Sequence, residues 1–168
     1  MGLKARIQLV RSDWWDHLSP WWGRLSLVVA NPPYIPSAVV DGLEPVVRLH
    51  EPRLALDGGL DGLDAIRRVV AGARRGLAPG GWILLEHHHD QSDAVCRLLT
   101  AGGLESVRAH PDLEGVRRFA SARRPRATPH QDGERCEAAG EDPVPRPLSR
   151  TIRTVGAGFF PGPRAHRP

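Results

Sequence analysis

The run Leu25-Ser26-Leu27-Val28-Val29-Ala30 ends directly in Asn31-Pro32-Pro33-Tyr34, and this junction limits the fold more than any other stretch. Five of the six residues in the run are apolar and two are Val, which reads as a buried strand. Asn31 then stands just past the strand's C-terminal end. In open α/β sheets that edge is where ligands bind. Pro32 and Pro33 fix their own φ and carry no backbone donor. Each also pushes the residue before it out of the helical region. The loop is expected to be stiff and extended, with carbonyls and one amide side chain free. Asn31 offers one acceptor oxygen and two N–H donors, and Tyr34 offers a flat face. That set suits a planar group bearing an NH2, such as a carboxamide or an adenine amine. The plainer account is a strand followed by a proline-rich turn whose Asn caps the local backbone.

With 168 residues, 40% of them apolar, the chain is long enough for one domain with a core. Its formal charge of +4 comes largely from Arg, which is expected on solvated faces. Charge alone does not indicate nucleic-acid binding, so no direct nucleic-acid partner is expected. Cys96 and Cys136 form no CxxC pair and no disulfide framework, which fits a reducing cytosol. No apolar run approaches the ~18 residues a membrane span needs. The N-terminus shows no signal-peptide core, so a cytoplasmic protein is expected.

Along the chain, residues 7–10 read as a short strand leading into Asp13-Trp14-Trp15. A carboxylate and an indole there could take the amine and one face of an adenine ring. The competing account makes Trp14 and Trp15 packing anchors under a loop. Trp21 and Trp22 look like plugs between surface and core. Residues 35–62 form a connection long enough to suggest a functional role. The apolar period predicts a helix over about 63–77, stopped by Pro79-Gly80-Gly81. Residues 82–86 read as the next strand, and His87-His88-His89 as a solvated loop at its end. Three adjacent His cannot all face one ion from a regular element, so no metal is expected. Asp90 is expected to cap a second helix over about 91–101. Residues 105–109 and 116–122 read as a hairpin. Two parts follow: residues 1–124 as the folded portion and 125–168 as a Pro/Arg-rich tail, expected to be disordered.

The Asn-Pro-Pro-Tyr motif after a strand resembles motif IV of amino-methyltransferases that use S-adenosyl-L-methionine. Over residues 3–123 the chain is similar to the release-factor glutamine-N5 methyltransferases, called PrmC or HemK. Three stretches carry the resemblance: Ser12-Asp13-Trp14 ahead of 27–36; His50 through Gly59 with Asp61-Gly62-Leu63-Asp64; and Leu84-Leu85-Glu86-His87 through Asp90-Gln91. The second is the one that DNA adenine enzymes lack. The resemblance implies a Rossmann-like α/β fold with sheet order 3-2-1-4-5-7-6. It implies that Trp14 lines the adenine of the cofactor with Asp13 beside it, and that Asn31 touches cofactor and substrate. The oxygen of Asn31 and the carbonyl of Pro32 would accept the two N–H bonds of a glutamine amide. Pro33 completes the substrate loop and Tyr34 packs on the amide. The partner implied is a peptide chain release factor, through the Gln of a Gly-Gly-Gln loop.

The family's first two strands, its Gly-rich loop and its ribose-binding acid have no counterpart before Asn31. The expectation is thus a partial Rossmann-like methyltransferase fold lacking its first two strands, the C-terminal portion of a catalytic domain. Two alternatives stand beside it: a non-catalytic remnant or interaction module of that fold, and a DNA adenine-N6 methyltransferase.

Overall fold

The computed structural model describes residues 7–44 and 50–126. Four strands, β1 (Leu25–Ala30), β2 (Leu77–Glu86), β3 (Glu105–Pro111) and β4 (Arg117–Arg123), form one sheet in the order β1-β2-β4-β3. β1 and β2 run parallel, while β4 is antiparallel to both β2 and β3. This is the 4-5-7-6 part of the expected order. Among the described residues β1 has a strand on one side only.

Helices fill the connections: α1 (Ser37–Val40), α2 (Arg53–Leu56), α3 (Asp64–Gly76) and α4 (Ser92–Ala101). The long α3 exists because its apolar residues recur at helical spacing. Ile66, Val69, Val70 and Ala73 are buried, while Arg67, Arg68, Arg74 and Arg75 are exposed. Asp64 in its first turn and Arg74 and Arg75 in its last both suit the helix dipole. Its inward side meets Val28 and Ala30 of β1, Ile83 and Leu85 of β2, Ala120 and Ala122 of β4, and Val95 and Leu99 of α4 in a single core. Each fully buried Leu, Ile or Val contributes about 1.5–3 kcal/mol relative to exposure.

Trp15 anchors the segment before β1 to this core. Its indole N–H donates to the carbonyls of Arg68 and Val69, at 3.1 and 3.0 Å. The ring lies on Gly72 and Gly76, one turn apart on α3, and a Cβ added at either would run into it. On its other side Trp22 stacks with a centroid separation of 5.7 Å. The packing-anchor account therefore holds for Trp15, and Trp14, Trp21 and Trp22 are partly buried against the same core.

Four expectations need correction. Residues 7–10 are not a strand and are exposed, because no described strand offers them a ladder. β2 begins at Leu77, not at Trp82: Leu25 pairs with Leu77 and Leu27 with Trp82, and the intervening Pro79-Gly80-Gly81 is absorbed as an irregularity in the pairing. Asp90 does not cap α4; it lies in a short 3-10 turn, His89–Gln91, and its carboxylate bonds His88 Nδ1 at 2.7 Å. His87 is fully buried instead of solvated, since it continues the inward alternation of Ile83 and Leu85. The expectation for the tail covers residues 125–168, of which 127–168 lie outside the described residues. Among the described residues no helix is long and apolar enough to cross a membrane.

Candidate functional site

Strand β1 delivers Asn31 to the C-terminal end of the sheet. Pro32 and Pro33 are buried while Asn31 is exposed. The loop is thus gripped at its prolines and presents its amide outward. Among the described residues the Asn31 side chain makes no hydrogen bond, and no loop hydrogen bond uses the Pro32 carbonyl. Asn31 is open to solvent, whereas Pro32 is fully buried.

Tyr34 is fixed from β2. Its phenol donates to Glu86 Oε1 at 3.2 Å. Burial first, and then the Glu86 carboxylate, push the phenol's pKa above its ordinary value, so it remains a donor. His88 stands beside the ring, with centroids 6.3 Å apart.

The segment after α1 docks on this loop. Ile35 and Asp57 form a parallel bridge. The amide of Ile35 donates to Leu56 O at 3.0 Å, Gly58 N to Ile35 O at 2.8 Å and Ser37 N to Gly59 O at 2.9 Å. The Ser37 hydroxyl donates to Asp57 Oδ1 at 2.6 Å, and Arg53 Nε donates to Asp57 Oδ2 at 3.1 Å. The connection over 35–62 is therefore ordered against Tyr34 where described. Gly62 has a φ of +74°, and a Cβ there would strike the carbonyl of Tyr34 and the amide of Gln91, so only glycine fits.

Gln91 ties these parts together. It is 7% exposed. Its amide donates to Tyr34 O at 2.9 Å and to Asp61 O at 3.3 Å, and its oxygen accepts from His88 N at 3.0 Å. The sequence shows Gln91 only as the opening residue of a helix; its inward role was missed. No local pattern in the sequence marks it, since its partners Tyr34 and Asp61 lie 57 and 30 positions away.

The sequence-assigned adenine contacts Asp13 and Trp14 belong to the segment before β1. Asp13 is exposed and lies 3.7 Å from Arg68 of α3. Trp14 adopts a φ of +51° and is partly buried. Among the described residues no hydrogen bond or ring contact links either of them to Asn31. No group of three or more His, Cys, Asp or Glu among them could hold a metal ion.

A loop of this kind at the end of a parallel strand, in a sheet ordered 4-5-7-6, defines part of a Rossmann-like methyltransferase domain. The chain is 54% identical over 121 residues to the release factor glutamine methyltransferase of Prochlorococcus marinus, covering 72% of this chain and 41% of that one. It is 49% identical over 113 residues to the same enzyme of Caulobacter vibrioides, covering 67% and 38%. The chain belongs to the release factor glutamine methyltransferase family, and it spans about two fifths of the length of the curated relatives it matches. Among solved structures, the protein-(glutamine-N5) methyltransferase of Alicyclobacillus acidocaldarius aligns at 19% identity with a TM-score of 0.35, over 66% of this chain and 88% of that one. Likeness at that level adds nothing to the sequence match. No protein-family model matches the chain.

Proposed function

We propose that this chain carries the substrate side of an S-adenosyl-L-methionine-dependent methyltransferase that acts on the side-chain amide nitrogen of a glutamine. The substrate would be the Gly-Gly-Gln loop of a peptide chain release factor, in the cytoplasm. The observation that supports this most is the exposed Asn31 amide, without a hydrogen-bond partner among the described residues, on a loop gripped by its buried prolines.

An amide nitrogen is a weak nucleophile because its lone pair is delocalised. Asn31 Oδ1 and Pro32 O would accept its two N–H bonds, hold it in place and stabilise the positive charge that grows on it. Tyr34, steadied by Glu86, would pack on the flat amide. When bound, the cofactor supplies an electrophilic methyl on a sulfonium. Asn31 would hold its methyl end, with Trp14 and Asp13 against the adenine. Fixing nitrogen and methyl in line can be worth up to ~7–11 kcal/mol. No general base is needed before transfer, in keeping with a loop that carries no carboxylate.

In a context that supplies the remaining length of the relatives, Asn31→Ala should lose one amide acceptor and cost about 2–4 kcal/mol of transition-state stabilisation. Methyl transfer to a purified release factor measures this, and an unchanged kcat would sink the assignment.

A further inference from the structure

At the end of the sheet opposite Asn31, arginines from two segments converge. Arg74 of α3, with Arg124 and Arg126 beyond β4, lines a cleft of about 170 Å³ whose remaining walls are Pro79 and Pro125. No acidic residue lines it. A surface arginine ordinarily lays its stem on the protein and leaves its head in water. These three are seated more firmly. The guanidinium of Arg124 donates to the carbonyl of Leu77. Arg74 lies across Gly103, with Nη1 and Cζ at 2.9 and 3.4 Å from where a Cβ on that residue would stand. Arg126 lies across Gly80 in the same way, with Nε at 3.2 Å and Cγ at 3.4 Å. Both glycines have positive φ, +72° and +77°, and both leave open the space that the arginine side chains take.

The charge gathered here is not cancelled. Among the described residues Arg74 and Arg126 make no ion pair and no side-chain hydrogen bond. The helix dipole accounts for a cation at the end of α3. It does not account for Arg126, which belongs to another segment. Arg123 stands behind Arg126, its Nε 3.9 Å from the same Gly80 position. That Nε is buried and has no hydrogen-bond partner among the described residues, and Glu105 Oε1 is 3.7 Å from it. Guanidinium groups held this close repel one another unless an anion answers them.

We propose that this cleft binds a single phosphate group, free or as the ester end of a small molecule. Size and geometry select it. A water molecule takes about 30 Å³ of the liquid, so a cleft of about 170 Å³ holds roughly five or six heavy atoms. One phosphate group has this size. A guanidinium is a planar fork that gives two parallel N–H bonds to a pair of oxygens. A carboxylate has a single pair and satisfies one such fork. The oxygens of a tetrahedral dianion serve Arg74 and Arg126 from their separate segments at once, with the remaining N–H groups of Arg124 on a third side. Pro79 and Pro125 make stiff walls, so little ordering is needed on binding. The inference is independent of the methyltransferase reading, because the cleft lies at the other end of the strands.

The test titrates the full chain with sodium phosphate by calorimetry at fixed ionic strength. Glycerol phosphate serves as the ester arm and sodium acetate as the carboxylate arm. Saturable one-site binding of phosphate at or below about 1 mM is expected. The double variant Arg74→Gln/Arg126→Gln should bind at least about tenfold more weakly, with far-ultraviolet circular dichroism unchanged. Arg117→Gln removes one such charge at the far end of β4 from Arg123 and should leave binding intact. Tighter binding of glycerol phosphate than of phosphate assigns the cleft to an ester, and the reverse assigns it to the free ion; either supports the proposal. Acetate binding as tight as phosphate would overturn it, because a carboxylate then suffices. So would a loss on Arg117→Gln equal to that in the double variant, which leaves an adventitious ion only, held by the field of the whole chain. Heat that does not saturate by roughly 20 mM phosphate, or that the double variant leaves unchanged, would overturn it too.

Discussion

The side-chain amide of Gln91 reaches the main-chain carbonyl of Tyr34 at 2.9 Å, across 57 positions of sequence. One buried residue thereby fastens the exit of β2 to the loop that follows β1. Replacing Gln91 by Leu should leave the carbonyls of Tyr34 and Asp61 and the amide of His88 without their partner. Buried groups left unsatisfied cost about 1–3 kcal/mol each. A loss of roughly 2–5 kcal/mol in denaturant unfolding is expected, since the three groups share one site and will not add fully. A loss under about 0.5 kcal/mol, the range of ordinary surface changes, would remove Gln91 from this role.

Trp15→Ala should be among the most damaging single changes. It vacates the seat on Gly72 and Gly76 and strands the stacked face of Trp22. Large aromatic truncations in cores cost about 3–5 kcal/mol. Loss of near-ultraviolet circular dichroism together with a lowered midpoint in urea would register it. Gly72→Ala should act similarly, by forcing the indole away from α3.

Acid should loosen the 50–59 segment before it unfolds the sheet. The Asp57 carboxyl is held below its ordinary pKa, first by the Ser37 hydroxyl, then by the amide of Gly59, with Arg53 adding to both. A carboxylate depressed by folding stabilises the fold above the unfolded value, near 3.9. That contribution fades as the pH falls through the folded value. Faster amide exchange at Gly58 and Gly59 below about pH 4 is the expected signature. Ser37→Ala should move the carboxyl titration, read by carbon NMR, back upward.

The chain as given should bind S-adenosyl-L-methionine weakly. On the proposed reading Asp13, Trp14 and Asn31 would meet the adenine and the methyl end, and residues 1–30 hold no Gly-rich loop that would meet the middle. Several missing polar contacts at ~1–3 kcal/mol each would carry a micromolar affinity past millimolar. Calorimetric titration checks this. Saturable binding tighter than about 100 μM, roughly −5.5 kcal/mol, would contradict it.

Much of the architecture could be read from residue order. The helix over 64–76 and the strand over 25–30 follow from apolar spacing, and both lie where that spacing puts them. Pro79-Gly80-Gly81 has the chemistry of a stop and hides the start of β2, whereas the fold absorbs those residues between two paired positions. The run of three histidines suggests a solvated His87, yet alternation along β2 decides its side. The stiff placement of Asn31 and Tyr34 just past β1 follows from residue order, because two prolines leave the loop few conformations. Glu86 and Gln91 were not legible as Tyr34's holders, since their contacts cross more than 50 positions and no local pattern marks them.

The sheet also implies an order of assembly. Ala109 and Ala120 face each other across a short hairpin, whereas Ala30 meets Leu85 only after the whole α3 crossover has closed. Closure entropy must be met before distant pairs return any stabilisation. The β3–β4 ribbon is therefore expected to form early and β1 to join late. The amide-presenting loop at the end of β1 would be the last part of the site to mature on a newly made chain. It would also be the first to open in native-state fluctuations, with amide exchange at Val28 and Ala30 outrunning that at Ala120 and Ala122.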